Sequence, residues 1–219
     1  MYATPGTVSK TCQQLTVGYL IHVRPHNEKT QFIVLFTHQE GLVSLACSTK
    51  KVYHPFTRYQ ISRTGSKRSA KIEATLDAPY LFTHKKLYCA LYLNELIYHF
   101  CKEKDAHPQL FIYYAESLAQ LEQQKIVEPV LRRFEINLLK EAGYELSTTG
   151  INQPYCTFSP NNGLMGCMNK APNAIAVPEL QSTLNNYTSS AEGKQFIRNI
   201  INLILSKQTK SRLFYEKIN

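Results

Sequence analysis

The sequence predicts an α+β protein, with a small five-stranded barrel or sandwich first and an all-helical region after it. Three observations carry this. Five short runs rich in Val, Ile, Phe, Tyr and Thr follow one another between Val17 and Leu76, with turn-formers between them. From Leu87 the apolar residues switch to helical spacing. A stretch rich in Pro, Asn, Gly and Ser, residues 147–176, then interrupts the pattern before the helical period returns at Val177.

The strand runs read VGYLIHV, QFIVLFT, GLVSLAC, TRYQISR and KIEATL, punctuated by Pro25-His26-Asn27, by His38 to Gly41 and by Thr64-Gly65-Ser66. Short strands joined by basic loops fit an OB-type barrel best, although any small antiparallel barrel shares the pattern. Residues 1–80 are therefore expected to form the barrel domain, with 1–16 a polar, frayed start. Residues 81–219 are expected to form a helical domain. Leu87, Ala90, Leu91, Leu93, Ile97 and Tyr98 give its first amphipathic face. Pro108 is tolerated in a first turn ahead of a second helix over Phe111–Leu121. Glu128-Pro129 suits the opening of a third helix, buried through Val130, Leu131, Phe134, Leu138 and Leu139 and ended by Gly143. Residues 147–176 read as an inserted loop or hairpin lobe, since Tyr155, Phe158, Leu164 and Met165 can pack. Three further helical stretches follow, VPELQSTLNNY, AEGKQFIRNIINLILSKQ and KSRLFYEKI.

The chain of 219 residues carries a net charge of +9, which favours a polyanionic partner. Residues 1–80 hold ten Lys/Arg against four acids, and 50–71 hold seven bases and no acid. Residues 194–219 hold six bases against one acid, whereas 81–193 are close to neutral. The basic segment interleaves Lys50, Lys51, Arg58, Arg63, Lys67 and Arg68 with Tyr53, Phe56 and Tyr59. Lys and Arg neutralise phosphates without regard to sequence, and exposed rings stack bases. The competing assignment makes Phe56 and Tyr59 core residues and the bases a solvated hairpin edge.

Catalytic signatures are missing: the Walker loop, G-x-G-x-x-G, H-E-x-x-H and G-x-S-x-G do not occur. The cysteines, Cys12, Cys47, Cys89, Cys101, Cys156 and Cys167, are dispersed and form no C-x-x-C pair. No apolar run reaches membrane-spanning length, and no leader pattern opens the chain, so free thiols in a reducing cytoplasm and no membrane partner are expected. Cys156 and Cys167 lack the close partners that a zinc knuckle requires, so no metal or other cofactor is expected. Adjacent Arg132 and Arg133 point about 100° apart on a helix. One of them can stand at the rim of an apolar groove along Leu131, Phe134 and Leu138, suited to an acidic peptide with an aromatic end. The alternative is a surface arginine paired with Glu128 or Glu135.

The motifs LYxxLYxNEL (Leu87–Leu96) and EPxLRRFExxLLxxxGY (Glu128–Tyr144) resemble the RecO family of recombination-repair mediators, with weaker support from His54–Phe56 and from KSRLF at Lys210–Phe214. The resemblance runs from about Val17 to Phe214. It implies an N-terminal OB fold, a helical region with an inserted lobe, and no enzymatic activity. It further implies binding of single- and double-stranded DNA and annealing of complementary strands. Cooperation with RecR in loading the recombinase RecA, and docking of the acidic C-terminal tail of single-strand-binding protein, are also implied, in the cytoplasm at the nucleoid. By position, tail docking falls on Arg132 with Leu131, Phe134 and Leu138 as groove walls, and DNA contact on Arg24, Lys29, Lys50, Lys51, Arg58, Arg63, Lys67 and Arg68. Two departures stand out. The basic loop after the third strand is short here, Ser48-Thr49-Lys50-Lys51, and the four-cysteine zinc lobe of some relatives is reduced to Cys156 and Cys167. The short loop motivates a second hypothesis, a non-catalytic protein-interaction adaptor with little DNA affinity of its own. A third, a cysteine-dependent enzyme, requires a thiol of depressed pKa.

Overall fold

A computed structural model of the chain describes residues 13–64, 70–188, 190–205 and 209–211. The N-terminal part is a five-stranded antiparallel sheet built from β1 (Gln13–Pro25), β2 (Thr30–Thr37), β3 (Gly41–Ser48), β4 (Arg58–Thr64) and β5 (Ala70–Thr75). Its order is β3-β2-β1-β4-β5. The long first strand serves both halves: Gln13–Tyr19 pairs with β4 and Gly18–Pro25 with β2, with a bulge between Leu20 and His22. The strand begins earlier than the expected frayed start allows, at Gln13; residues 1–12 lie outside the described residues.

The sheet is open rather than a closed barrel. Among the described residues no ladder joins the outer strands β3 and β5. A groove lined by Lys51, Tyr53, Thr57, Ile72, Thr75 and Pro79 lies between β5 and the β3–β4 connection.

Both faces of this sheet are apolar, and the period of two separates them. Leu20, Ile33, Leu35, Val43, Leu45, Tyr59 and Ile61 form one cluster. Tyr19, Ile21, Val34, Phe36, Leu42 and Phe56 face the other way, into a core continuous with the helices. Burial on both sides accounts for the unbroken run FIVLF in β2, which alternation alone does not explain.

The helices are α1 (His84–Phe100), α2 (Pro108–Gln123), α3 (Glu128–Glu141), α4 (Val177–Asn186) and α5 (Ala191–Leu205). Proline stands in the first turn of α2, α3 and α4, and Gly143 follows α3 with φ of 86°. The C-terminal region is not all-helical. Its lobe is a three-stranded antiparallel sheet of β6 (Tyr155–Ser159), β7 (Gly163–Cys167) and β8 (Ile175–Ala176), in the order β7-β6-β8. Phe158 and Leu164 anchor the β6–β7 hairpin on the core. The last expected helix, KSRLFYEKI, lies outside the described residues except for Lys210 and Ser211.

Two polar devices lock the helices to the sheet. The buried Asn94 amide of α1 donates to the Ile21 carbonyl of β1 at 3.0 Å and accepts from the Tyr114 hydroxyl of α2. The β2–β3 turn rests on the α1–α2 loop, where Leu42 N–H donates to the Lys102 carbonyl at 3.0 Å. That seat requires glycine at 41: φ is 67°, and a Cβ there would lie 2.1 Å from the Asp105 carbonyl oxygen.

Candidate peptide cleft and nucleic-acid interface

The first two turns of α3 contribute the floor and one wall of a cleft completed by α1, α5 and Ser211. Tyr88, Cys89, Tyr92, Val127 and Leu131 give it apolar walls, with Lys85, Arg132, Lys194 and Arg198 set among them. Among the described residues lining the cleft, four are cations and two, Glu128 and Glu135, are carboxylates; Lys85 pairs with Glu128 and Arg132 with Glu135.

Arg132 is on the floor of the cleft, not at its rim. It is 2% exposed because Glu135, one turn on, pairs with its Nη1, while the Tyr92 hydroxyl donates to the other Glu135 oxygen at 2.7 Å. This carboxylate relay makes burial of the guanidinium tolerable and fixes its direction. Its Nε is buried without a hydrogen-bond partner among the described residues. An unpaired buried donor is costly, and a carboxylate is the acceptor that satisfies a guanidinium best. Arg133 points elsewhere, to Glu116 of α2 at 3.2 Å, as the 100° step between neighbours requires.

Lys194 and Arg198 are four residues apart on α5 and so share a face. Loss of water lowers the pKa of Lys194, and the nearby charges of Arg198, Arg132 and Lys85 push the same way against Glu128. A half-buried ammonium with a depressed pKa gains from an anionic ligand. Sequence reasoning missed Lys85, Lys194 and Arg198. The i,i+4 pair of bases on α5 was the available signal.

Of the four residues expected at a partner-peptide site, Leu131 and Arg132 meet in the cleft. Phe134 and Leu138 are 0% exposed and lie in the core behind it, so they are not groove walls. Phe134 turns its ring to Tyr114 of α2, with centroids 6.4 Å apart. Leu138 follows Leu131 by two turns on nearly the same side, beyond the end of the cleft.

The expected DNA-contact residues divide. Arg24, Lys29, Lys50 and Lys51 are exposed at one end of the sheet. Thr49 N–H donates to the Lys29 carbonyl at 3.1 Å, and the Gln31 amide donates to the Ser48 and Lys51 carbonyls at 3.1 and 2.9 Å, so the β1–β2 turn and the end of β3 move as one. The Arg24 guanidinium covers the Phe32 ring at 5.4 Å. Arg58 is committed elsewhere: its Nε and Nη2 donate to Asp77 at 2.6 and 2.9 Å. Backbone pairing puts Arg63 opposite Gln14, at the other end of β1 from Arg24. Lys67 and Arg68 lie outside the described residues. Phe56 and Tyr59 are 2% and 3% exposed, core residues rather than stacking platforms.

Four of the described thiols do not suit nucleophilic chemistry. Burial pushes Cys89 and Cys156 up to about 11 and Cys101 up to about 12, and it raises Cys47 as well. Pairing of Tyr155 with Cys167 and of Cys156 with Gly166 places the two lobe cysteines on opposite faces of the hairpin, where they cannot converge on one ion.

Sheet, helices and cleft together give an α+β molecule with a recessed site whose apolar walls carry basic side chains. Residues 81–213 match the family described as Recombination protein O C terminal. Relatives named DNA repair protein RecO include those of Tolumonas auensis, 34% identical over 142 residues, and Pseudoalteromonas atlantica, 33% identical over 143 residues. These alignments cover 59% and 60% of this chain and 59% of each relative, so the chain matches about three fifths of their length. The relative from Aliivibrio salmonicida is 32% identical over 136 residues, or 58% of this chain and 57% of that protein. The chain belongs to the RecO family.

Proposed function

We propose that this chain is a non-catalytic DNA-repair mediator with an OB-type N-terminal unit. It binds single- and double-stranded DNA, anneals complementary strands and helps load recombinase onto DNA coated by single-strand-binding protein. The α1–α3–α5 cleft takes the acidic C-terminal tail of that coating protein, and RecR is a further partner. The observation that carries the tail-docking part is the placing of Arg132 among the apolar walls of the cleft beside Lys194, whose pKa burial and neighbouring cations lower. A peptide ending in an apolar residue places its ring or chain on Leu131 and Tyr88 and its terminal carboxylate on these cations. Strand handling rests on Arg24, Lys29, Lys50 and Lys51, with Arg63, Lys67 and Arg68 as a second group.

The adaptor alternative is favoured by Arg58, whose guanidinium is filled by Asp77, and by the short β3–β4 connection. Two titrations separate the readings. A fluorescent acidic tail peptide and a single-stranded oligonucleotide are each titrated with the wild type and with Lys194→Gln. The mediator reading expects both ligands to bind, with only the peptide weakened by the substitution, by about tenfold for one lost charged contact. Peptide binding without DNA binding at low salt establishes the adaptor. DNA binding without peptide binding removes tail docking.

A further inference from the structure

The cleft has one wall that neither α1, α3 nor α5 provides. Ser211, 9% exposed, reaches it from a segment that follows α5 in the chain. Among the described residues, one side chain accepts every hydrogen bond given for Lys210 and Ser211. The Glu95 carboxylate of α1 accepts the Lys210 N–H at 2.7 Å, the Ser211 N–H at 2.9 Å and the Ser211 hydroxyl at 2.6 Å. Thr209 beside them is 2% exposed and the Glu95 side chain 15% exposed, so the two bonds from Ser211 are partly shielded from water while the bond from Lys210 lies at the surface. Burial disfavours the carboxylate, yet the bonds from Ser211 and Lys210 and the nearby His99, with Nε2 at 3.8 Å, hold its pKa below the usual range.

We infer that Glu95 is a positioning residue for the peptide cleft: it touches no peptide, but clamps Lys210 and Ser211 so that this segment closes the cleft beside Cys89, Lys194 and Arg198. The inference rests on the tail-docking reading for its functional consequence and on geometry alone for the clamp. Three donors converge on one carboxylate, and two of them are backbone N–H groups that no replacement side chain at 211 can supply. Charge-assisted bonds of this kind are stronger than neutral ones, so their loss frees the segment. Asn94 and Glu95 therefore divide the work of one helical turn, the first fixing α1 to the sheet and the second fixing Lys210 and Ser211 to α1.

Cys89 lines the same cleft and is 4% exposed, which gives a readout independent of any peptide. Full-length wild type, Glu95→Ala, Ser211→Ala and Lys194→Gln are treated with N-ethylmaleimide at one pH. Modification of Cys89, Cys101 and Cys156 is followed separately by peptide mass spectrometry. The clamp predicts that Glu95→Ala speeds Cys89 modification about tenfold while Cys101 and Cys156 keep their wild-type rates. Ser211→Ala, which removes one of three bonds and spares the fold, gives a smaller rise, whereas Lys194→Gln, which removes a charge that favours the Cys89 thiolate, slows its modification. Acidic-peptide affinity falls in Glu95→Ala by about as much as Cys89 reactivity rises. Unchanged Cys89 reactivity in both Glu95→Ala and Ser211→Ala overturns the clamp, as does an equal rise at all three cysteines, which marks general loosening. A selective Cys89 rise in a protein whose wild type binds no peptide keeps the clamp and removes the tail-docking reading.

Discussion

Arg132 illustrates how a buried cation in a cleft is held by its neighbours. Its charge is neutralised by Glu135, and Glu135 is held in turn by Tyr92. Breaking a buried pair from one side strands the other charge, so Arg132→Ala is expected to destabilise the fold by about 3–5 kcal/mol in urea unfolding. Arg132→Ala is therefore a poor probe of the cleft, because lost binding and lost folding coincide. Lys194 is the cleaner probe. Its lowered pKa means that the unfolded chain holds this proton more tightly than the folded one. Lys194 therefore works against folding while charged, and stability recovers as pH rises through its folded value toward the ordinary 10.5. A bound carboxylate raises that pKa again. Peptide binding at alkaline pH is accordingly expected to take up protons, seen as a binding enthalpy that changes with the ionisation enthalpy of the buffer, and the effect should vanish in Lys194→Gln.

At the scale of elements, some structure was legible and some was not, for physical reasons. Glu128-Pro129 and Gly143 marked the ends of α3 because acid, proline and glycine each relieve a defined terminal strain. The five N-terminal strands were legible from composition and turns, but not their failure to close, since closure depends on where the β3–β4 connection runs. The lobe was legible only as a hairpin. Its third strand, Ile175–Ala176, is two residues long and carries no period. Phe134 and Leu138 were placed on the correct stripe of α3, but helical spacing cannot tell a groove wall from a core residue when neighbouring helices cover part of the stripe. The seating of the β2–β3 turn on the α1–α2 loop was invisible, since no local pattern encodes a contact between Gly41 and Asp105. That contact makes a sharp prediction. Gly41→Ala meets both a positive φ and a backbone oxygen at 2.1 Å, so we expect it to cost about 1–3 kcal/mol or more, measured by thermal or urea unfolding. The equivalent change at Gly143, with nothing within 4 Å, should cost less.

For the whole molecule, charge is sorted by use. Cations at the end of the sheet face outward, whereas Lys194 and Arg198 at the start of the basic C-terminal stretch are drawn into the cleft between helices. Among the described residues, the bases at that end of the sheet and the bases of α5 thus lie on different surfaces. Strand binding through Arg24, Lys29, Lys50 and Lys51 should show a log–log salt slope of about −3, from roughly 0.7 per phosphate neutralised on single strands. Lys29→Ala, Lys50→Ala and Lys51→Ala together should flatten that slope by about 2 and leave acidic-peptide affinity unchanged. The central claim is that the α1–α3–α5 cleft, and not the sheet, receives the acidic tail. The most direct measurement is photo-crosslinking with a tail peptide carrying a benzophenone at its apolar terminal residue, followed by mapping of the attached sites. The account predicts attachment at Tyr88, Leu131 or Lys194, suppressed by excess unlabelled peptide. Suppressible attachment confined to the sheet near Lys29, Lys50 and Lys51, or no suppressible attachment at all, would contradict it.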